Sequence, residues 1–454
     1  MNESSRKSMR FFASLILWGV MTIIWSYVWY DSYAEIIQLP FFRRGNWVVV
    51  GIYAFLLFII TQFYGGYRIG FYRRGDIIFS CLMSMFVTNI VTYLQVSLIG
   101  RMFMDPWPIV WMSVAHFVII WIWATAADRL YLKLHPPRQL LCVYGGSQMA
   151  RSMITKIAER DDKYIINEAV NIEDKNVDIL EKLGKHRAVL ICDVKGSDRN
   201  RLLKYCYERD IRVYMVPKIS DIIIRSAGIN HLFDSPLLLN RNNGLSFEQI
   251  LFKRAFDIIG SILALVVFSP FMLIVAAAIK LHDGGPVFYV QERLTINGRL
   301  FKLYKFRSMV ENAEDKNGVQ LANQNDDRIT TVGRVIRKIR FDEMPQLINI
   351  LKGDMSFVGP RPERPEIEAE YKKSMPEFDF RLKVKAGLTG YAQVLGKYNT
   401  TPYDKLKLDL MYITSYSFLI DIKLILMTIK ILFMSYSTEG IDDGAVTAES
   451  IQKD

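Results

Sequence analysis

Residues 258–281 read I-I-G-S-I-L-A-L-V-V-F-S-P-F-M-L-I-V-A-A-A-I-K-L. A helix of about 20 apolar residues crosses the hydrocarbon core of a bilayer, so this run is long enough to span. Ser269-Pro270 sits near its middle. Proline removes a helix hydrogen bond and clashes with the carbonyl four residues back, which predicts a break there. Two readings follow. A spanning helix would put everything downstream on the opposite face of the membrane, whereas a helix that enters, turns at Ser269-Pro270 and leaves keeps both ends on one face. Lys253 and Arg254 precede the run and Lys280, His282 and Asp283 end it. Charge at both ends favours the re-entrant form, over about residues 256–281.

Upstream, four more runs approach spanning length: residues 11–30, 47–64, 77–99 and 108–127. Trp25, Trp29, Tyr30, Trp47, Tyr64 and Trp107 lie near their ends, where interfacial anchors are expected. Arg6, Lys7 and Arg10 precede the first run, Arg68, Arg73 and Arg74 follow the second, and Arg129, Lys133 and Arg138 follow the fourth. The third loop has Arg101 beside Asp105, and the first offsets Arg43 and Arg44 with Asp31 and Glu35. By the positive-inside rule the N-terminus and everything after residue 130 are expected in the cytoplasm. The first run continues past signal-peptide length without a small-residue cleavage site, so no cleaved leader is expected.

Composition agrees. A hydrophobic fraction of 51% across 454 residues is high for a soluble chain, and it is concentrated in these runs. The net charge of +11 points to anionic partners: lipid headgroups or nucleotide phosphates. No nucleic-acid partner is expected, because Lys and Arg are dispersed and neither helix-turn-helix nor zinc spacing occurs. Cys81, Cys142, Cys192 and Cys206 form no CxxC pair and read as small, buried, reduced residues.

After residue 139 the pattern alternates between strand and helix. Residues 140–144, 188–192 and 213–217 are short apolar runs, predicting a small parallel sheet with Rossmann-like connections over 139–240. The first turn reads Gly145-Gly146-Ser147-Gln148-Met149-Ala150, with Ser147 where a dinucleotide loop needs its second glycine. A scaffold or regulatory domain is therefore preferred to a nucleotide site. Asn240 to Gly244 reads as a linker.

Downstream lies the chemistry. Tyr304-Lys305-Phe306-Arg307-Ser308-Met309 is followed by Asp327-Arg328-Ile329-Thr330, then Asp342-Glu343-Met344-Pro345-Gln346-Leu347, then Gly359-Pro360-Arg361-Pro362. Asp342-Glu343 is expected to open a short helix with Pro345 in its first turn, Leu347, Ile350 and Leu351 as its apolar stripe, and Gly353 as its cap. Carboxylates at a helix N-terminus stay ionised. An ionised Asp can attack phosphorus, and an adjacent Glu can hold a divalent metal. A lone Asp-Glu pair is more often a helix cap; Arg361, its backbone set by two prolines, adds a guanidinium for a phosphate oxygen.

The strings K-R-x-F-D, Ser-Pro within an apolar helix, K-F-R-S-M, D-E-x-P-Q-L-x-N-x-L-K-G-D-M-S-x-V-G-P-R-P and G-L-T-G-x-A-Q-V resemble the bacterial sugar transferase family over residues 247–434. These are polyprenyl-phosphate hexose-1-phosphate transferases. With four spans and a middle domain, the chain resembles the family's large form. The resemblance implies a mostly helical, monotopic catalytic domain over 246–437 with interfacial amphipathic helices, after a four-helix transmembrane domain over 1–135. Residues 438–454 would form a tail.

The resemblance also implies roles. Asp342 would attack the β-phosphorus of a UDP-sugar, glucose or galactose by preference, and expel UMP. Glu343 would bind Mg²⁺ together with Asp342. Undecaprenyl phosphate would then take the phosphosugar, starting exopolysaccharide, capsule or O-antigen synthesis at the inner membrane. Arg361, Lys305 and Arg307 would handle phosphate charge, and Lys253, Arg254 and the Ser269-Pro270 break would bring the lipid phosphate. Arg328, Gln346, Asp409 and Asp421 are further active-site candidates. The chain departs from the family pattern at Lys385-Ala386-Gly387, where R-P-G is common, and at Thr295, where glycine is common.

The segment 416–433 is apolar but carries Asp421/Thr428 and Lys423/Lys430 at seven-residue spacing, a polar stripe expected to lie in the membrane interface. A homodimer through the membrane or middle domain fits this organisation. Two other classes stand beside the transferase reading. A membrane-tethered nucleotide-sugar dehydratase or epimerase would need an intact glycine-rich loop with a Tyr-x-x-x-Lys pair, for which only Tyr403 and Lys407 are present. A non-catalytic assembly subunit would use the carboxylates only as caps.

Overall fold

In a computed structural model of the chain, the four N-terminal runs form helices α1 (Glu3–Ser32), α2 (Arg44–Tyr64), α3 (Arg74–Gly100) and α4 (Trp107–Leu134). All four are long and apolar enough to cross a membrane. The structure describes residues 3–37, 40–41, 44–174, 176–240, 244–311, 328–396 and 400–433. The expected tail at 438–454, Asp327, linker residues 241–243 and the side chain of Ser147 lie outside the described residues.

The bundle buries more aromatic surface than its anchors suggested. Trp47, Trp107 and Tyr30 are exposed as expected, but Trp25, Trp29 and Tyr64 are buried in the core. Trp25 stacks on Tyr53 at 5.1 Å between ring centroids, and Trp29 Nε1 donates to Asn46 Oδ1 at 3.1 Å. Each indole meets a helix neighbour instead of a headgroup, because its position faces α2. Polar pairs join the helices: Thr61 Oγ1 to Ser84 Oγ at 2.9 Å, Tyr53 Oη to Asn89 Oδ1 at 3.2 Å, and Asn89 Nδ2 to Ser113 Oγ at 2.8 Å. In hydrocarbon such bonds hold helices in register, since lipid offers their polar atoms no alternative partner.

The sheet follows as β1 (Arg138–Tyr144), α5 (Ser147–Ala158), β2 (Tyr164–Asn171), α6 (Ile179–Lys185), β3 (Ala188–Cys192), α7 (Gly196–Glu208) and β4 (Arg212–Met215). Its order is β2-β1-β3-β4 with every pairing parallel, as the alternating pattern requires. Strand β2 escaped the apolar-run reading because most of its residues are only half-buried or exposed. A Cβ at Gly145 would stand 2.5 Å from the Asp193 carbonyl oxygen, so this glycine permits close loop packing. The four cysteines are buried thiols outside any disulfide. Helices and sheet together form one unit, Met1–Pro217.

The second unit, Lys218–Asp454, begins earlier than residue 240. Ile219 and Ile222, on α8 (Ile219–Arg225), join the core of Val358, Leu406 and Leu410. A hairpin of β5 (Gly228–Leu232) and β6 (Ser235–Leu239) leads to α9 (Phe247–Asp283). Ser246 caps α9 with a reciprocal box, its backbone N–H donating to Gln249 Oε1 at 2.9 Å.

The turn expected at Ser269-Pro270 does not interrupt α9, which runs through Pro270 as one element of 37 residues. Only one backbone donor is lost at proline, and the surrounding helical bonds persist. Nevertheless the domain grips α9 on both sides of Pro270. Ala264 and Leu265 pack with Leu303 and Ile350, while Met272, Val275 and Ile279 pack with Phe306 and Ile336. The helix is also long and apolar enough to cross a membrane. Its other face, including Leu263, Val267 and Leu273, is exposed and apolar, as lipid requires.

The remaining elements are β7 (Phe288–Leu294), β8 (Leu300–Phe306), α10 (Thr331–Lys338), α11 (Gln346–Lys352), β9 (Met355–Val358), α12 (Pro365–Ser374), β10 (Ala386–Thr389), α13 (Tyr391–Leu395), α14 (Pro402–Thr414) and α15 (Phe418–Leu432). The polar stripe of α15 faces inward, contrary to the interfacial expectation. Asp421 and Lys430 are buried, and Thr428 Oγ1 lies 2.6 Å from Thr389 Oγ1. Periodicity identifies a helix face but not what covers it, and here the partner is protein.

Candidate active site

Asp342 and Glu343 occupy a tight 3₁₀ turn, Phe341–Glu343, immediately before α11. The turn stands in place of the helical start expected at Asp342. Pro345 caps α11, and Gly353 ends it at φ 93°, a left-handed backbone that suits glycine. Leu347 and Ile350 are buried as expected, and Leu351 is half-buried. Arg340, preceding the turn, takes φ 52°, a conformation that costs a non-glycine residue about 1–2 kcal/mol.

Three elements bring cations to the dyad. Lys305 comes from β8, whose position is fixed by buried Asn349 of α11: Asn349 Nδ2 donates to Lys302 O at 2.7 Å, and Tyr304 N–H donates to Asn349 Oδ1 at 3.0 Å. Arg361 follows β9, which pairs in parallel with β10. Gly359 N–H donates to Thr389 O at 2.8 Å and Gly387 N–H to Pro360 O at 2.8 Å. A Cβ on Gly387 would fall 2.0 Å from Gly359 N, so the two backbones meet only because both residues lack one. Arg337 and Arg340 add charge from α10 and the turn.

The cations treat the two carboxylates differently. Glu343 Oε1 accepts Arg361 Nη2 at 2.8 Å and Lys305 Nζ at 3.3 Å. Burial alone would raise Glu343, but the charges of Arg361, Lys305 and Arg340 hold it well below the usual carboxylate range. Among the described residues, no cation reaches ion-pair distance of Asp342. Burial, helped by the neighbouring Glu343 charge, pushes Asp342 up to about 6 against the pull of Lys305, Arg337 and Arg361. One carboxylate is held by cations that favour its charged form; the other is uncommitted. That division suits a fixed charge beside a nucleophile.

A second shell stands behind Arg361. Arg381, buried within the 3₁₀ stretch Pro376–Lys383, donates from Nη2 to Arg361 O at 2.8 Å and pairs with Asp409 Oδ2 at 2.9 Å. Glu363 lies 3.5 Å from its other terminal nitrogen. Asp409 thus connects to Arg361 through Arg381, and burial pushes its carboxyl up to about 6 despite that partner. Arg381 was missed in the sequence; its only signal is a lone Arg set among Phe378, Phe380 and Leu382.

Other candidates lie elsewhere. Lys253 is buried and pairs with Asp421 Oδ2 at 2.6 Å and Tyr412 Oη at 3.0 Å, so both Lys253 and Asp421 hold α9 to α14 and α15. Arg254 donates to the Ile350 and Leu351 carbonyls at 2.7 and 2.8 Å, closing the C-terminus of α11. Arg307 is buried against Asp283 at the end of α9. In this structure each of these three cations meets a protein group. Gln346 is buried in the first turn of α11, and the backbone carbonyl of Arg328 accepts from Val310 N–H at 2.9 Å. Thr295 bonds Asp354 O at 2.8 Å and accepts from Ala386 N–H at 3.2 Å, an interior role. Lys407 lies 4.3 Å over the ring of Tyr403, and the two share α14 with no glycine-rich loop on that helix.

Among the described residues, no group of three or more His, Cys, Asp or Glu side chains could hold a metal ion. The dyad offers two carboxylates. Mg²⁺ takes one or two carboxylates and completes its octahedron with water and substrate phosphate, so the residues fit such an ion without enclosing it.

A family profile described as bacterial sugar transferase matches residues 248–435. An Aeromonas hydrophila protein named UDP-N-acetylgalactosamine-undecaprenyl-phosphate N-acetylgalactosaminephosphotransferase is 35% identical over 54% of this chain and 59% of its own. The Escherichia coli K12 UDP-glucose:undecaprenyl-phosphate glucose-1-phosphate transferase is 35% identical over 53% of each. A Bacillus subtilis protein, the uncharacterized sugar transferase EpsL, is 37% identical over 44% of this chain and 95% of its own. The chain thus spans about half the length of the first two relatives and nearly all of the third. The shared region is the unit that carries Asp342, Glu343 and Arg361, and by these matches the chain belongs to the bacterial sugar transferase family.

Proposed function

We propose that this membrane protein transfers a hexose 1-phosphate from a UDP-sugar to undecaprenyl phosphate, through an aspartyl-phosphosugar. The observation that carries the reading is the pairing of Glu343 with Arg361 and Lys305 beside an uncommitted Asp342. In the first half-reaction a carboxylate oxygen of Asp342 bonds to the β-phosphorus, and the bond from that phosphorus to the α–β bridging oxygen breaks, releasing UMP. In the second, a phosphate oxygen of undecaprenyl phosphate bonds to the same phosphorus and the Asp342 carboxylate leaves. Arg361 and Lys305 would face the charge gathering on the phosphoryl oxygens, the usual source of rate in phosphoryl transfer. Asp342 or Glu343 would hold Mg²⁺ together with substrate phosphate, and the ion would neutralise charge on the UMP leaving group.

Sidedness follows the distribution of Lys and Arg, which supports a cytoplasmic N-terminus and a cytoplasmic site where nucleotide-sugars are made. The named relatives use different sugars at the same 35% identity. Glucose or galactose is the donor we favour, with the product starting a surface polysaccharide.

The test is UMP release by the full chain in nanodiscs, with undecaprenyl phosphate, Mg²⁺ and UDP-glucose, UDP-galactose or UDP-N-acetylgalactosamine. UMP from one of the two hexoses, lost in Asp342→Asn, is expected. UMP from N-acetylated donors alone would overturn the sugar assignment, and full activity in Asp342→Asn would overturn the nucleophile.

A further inference from the structure

Within the first unit, a cavity of about 350 Å³ lies where the helix bundle meets the sheet. Among the described residues its wall carries five cationic side chains, Arg6, Arg10, Arg138, Lys163 and Arg212, against two carboxylates, Asp128 and Asp162. Asp162 is already taken by Arg160 at 2.8 Å. Lys163 and Arg10 both lie over the ring of Phe71, at 4.4 and 4.8 Å from its centroid. Arg138 donates to the Tyr214 hydroxyl. Burial and the nearby Arg160, Arg138 and Arg10 charges lower Lys163 to about 8, with only Asp162 opposing.

His135 is the independent sign of a missing partner. It caps α4, lines the same cavity, is 3% exposed, and has no hydrogen-bond partner at either ring nitrogen. Burial, then Arg6, Arg10 and Arg138, lower its pKa against the pull of the Leu134 backbone. A neutral imidazole has one donor and one acceptor nitrogen, and a buried unmade donor costs about 1–3 kcal/mol. Such an orphan group calls for a ligand, ion or water.

We infer that this junction is a binding site for a phosphate group, with Arg10, Arg138, Lys163 and Arg212 around the anion and His135 donating to one of its oxygens. The cavity lies at the beginning of β1, β2 and β4, the opposite end of the sheet from the Gly145-Gly146 turn. It is therefore separate from the crevice at the carboxyl ends of the strands where Rossmann-like domains take nucleotides. Arg6 and Arg10 at the start of α1 and His135 at the end of α4 put it at the edge of the transmembrane bundle. Both a lipid headgroup and a free phosphate can reach that position.

The test uses thermal melting of the full chain followed by tryptophan fluorescence, because all eight tryptophans lie in α1, α2 and α4 and report this unit alone. Inorganic phosphate is added in detergent, against chloride of equal ionic strength. Separately, phosphatidylglycerol nanodiscs are compared with phosphatidylcholine nanodiscs. A higher melting temperature with phosphate identifies a soluble ligand, one with phosphatidylglycerol alone identifies the headgroup, and both together mean the site reads the phosphate whatever bears it. The apparent affinity should fall at least ten-fold in Arg138→Gln/Lys163→Gln and at least five-fold in His135→Phe, which keeps a ring against Tyr131. Arg101→Gln, on another loop, should leave it unchanged. No shift in wild type, or a shift surviving the double variant, overturns the site; the wild-type arms hold even where a variant misfolds.

Discussion

Arg361 Nη2 and Glu343 Oε1 stand 2.8 Å apart, and Lys305 Nζ reaches the same oxygen at 3.3 Å. Two cations on one carboxylate oxygen leave Asp342 outside the pairing, and this asymmetry gives the dyad two different members. In Glu343→Gln the cations lose their shared anion and turn toward Asp342. UMP release should fall by about 10²–10³, the usual effect of losing one charge-positioning group. Arg361→Lys, which loses the planar fork, should fall by a similar factor without restoring balance. Steady-state kinetics check both; a loss under five-fold would deny the pairing a part in the reaction.

Asp342 with a pKa of about 6 gives a signed dependence on pH. In the proposed mechanism the attacking form is the carboxylate, so the rate of UMP release should drop as pH falls below about 6 and level off above 7. Stability runs the other way. The folded pKa exceeds the ordinary 3.8, so the stabilising contribution of protonated Asp342 is present below the unfolded pKa and lost as pH rises through 6. Asp342→Asn should therefore be inactive, yet slow hydrogen exchange in Gln346–Lys352 at pH 8, by an amount equivalent to roughly 3 kcal/mol. At pH 4 the variant and wild type should exchange alike.

Asp409 touches Arg381, and Arg381 touches the Arg361 carbonyl, so Asp409 is a positioning residue. Asp409→Asn should lower kcat about ten-fold with little change in KM, as expected when a supporting hydrogen bond is weakened. Arg381→Met leaves buried Asp409 and Glu368 without their cation and should cost about 3–5 kcal/mol. Equal loss in both variants would reduce Asp409 to a folding role.

Lys253 and Asp421 form a pair with only 8% and 2% of their side chains exposed. Lys253→Met alone should destabilise the second unit by about 3–5 kcal/mol, because it strands a buried carboxylate. Lys253→Met/Asp421→Leu should recover most of that loss, and a double-mutant cycle by hydrogen exchange measures the coupling. If the double variant folds but releases no UMP, Lys253 has a role beyond holding α9 in place.

Both ends of α9 should face the same side of the membrane. Phe247 and Leu281 are 75% and 87% exposed, and the native cysteines are buried. Phe247→Cys and Leu281→Cys should react with an impermeant maleimide in inside-out vesicles and resist it in right-side-out vesicles. Labelling of the two positions from opposite faces would mean that α9 spans.

Much of the architecture was legible in local chemistry. Membrane helices declare themselves by length and apolar content, and parallel strands by short apolar runs between helices, because both depend on neighbours in sequence. The D-E and G-P-R-P strings likewise announce the site, since proline and glycine restrict backbone wherever they occur. What required the tertiary structure was partnership. Lys253, Arg254 and Arg307 read as phosphate ligands, and the fold sets them beside Asp421, the end of α11 and Asp283. The stripe of α15 reads as water-facing but meets Thr389 and Tyr412. Arg381, silent in the sequence, supports Arg361. A charged side chain carries the same letter whether it meets substrate, solvent or a buried counter-ion. Only the folding of segments distant in sequence decides which of these it meets, and with that its pKa, its freedom and its role.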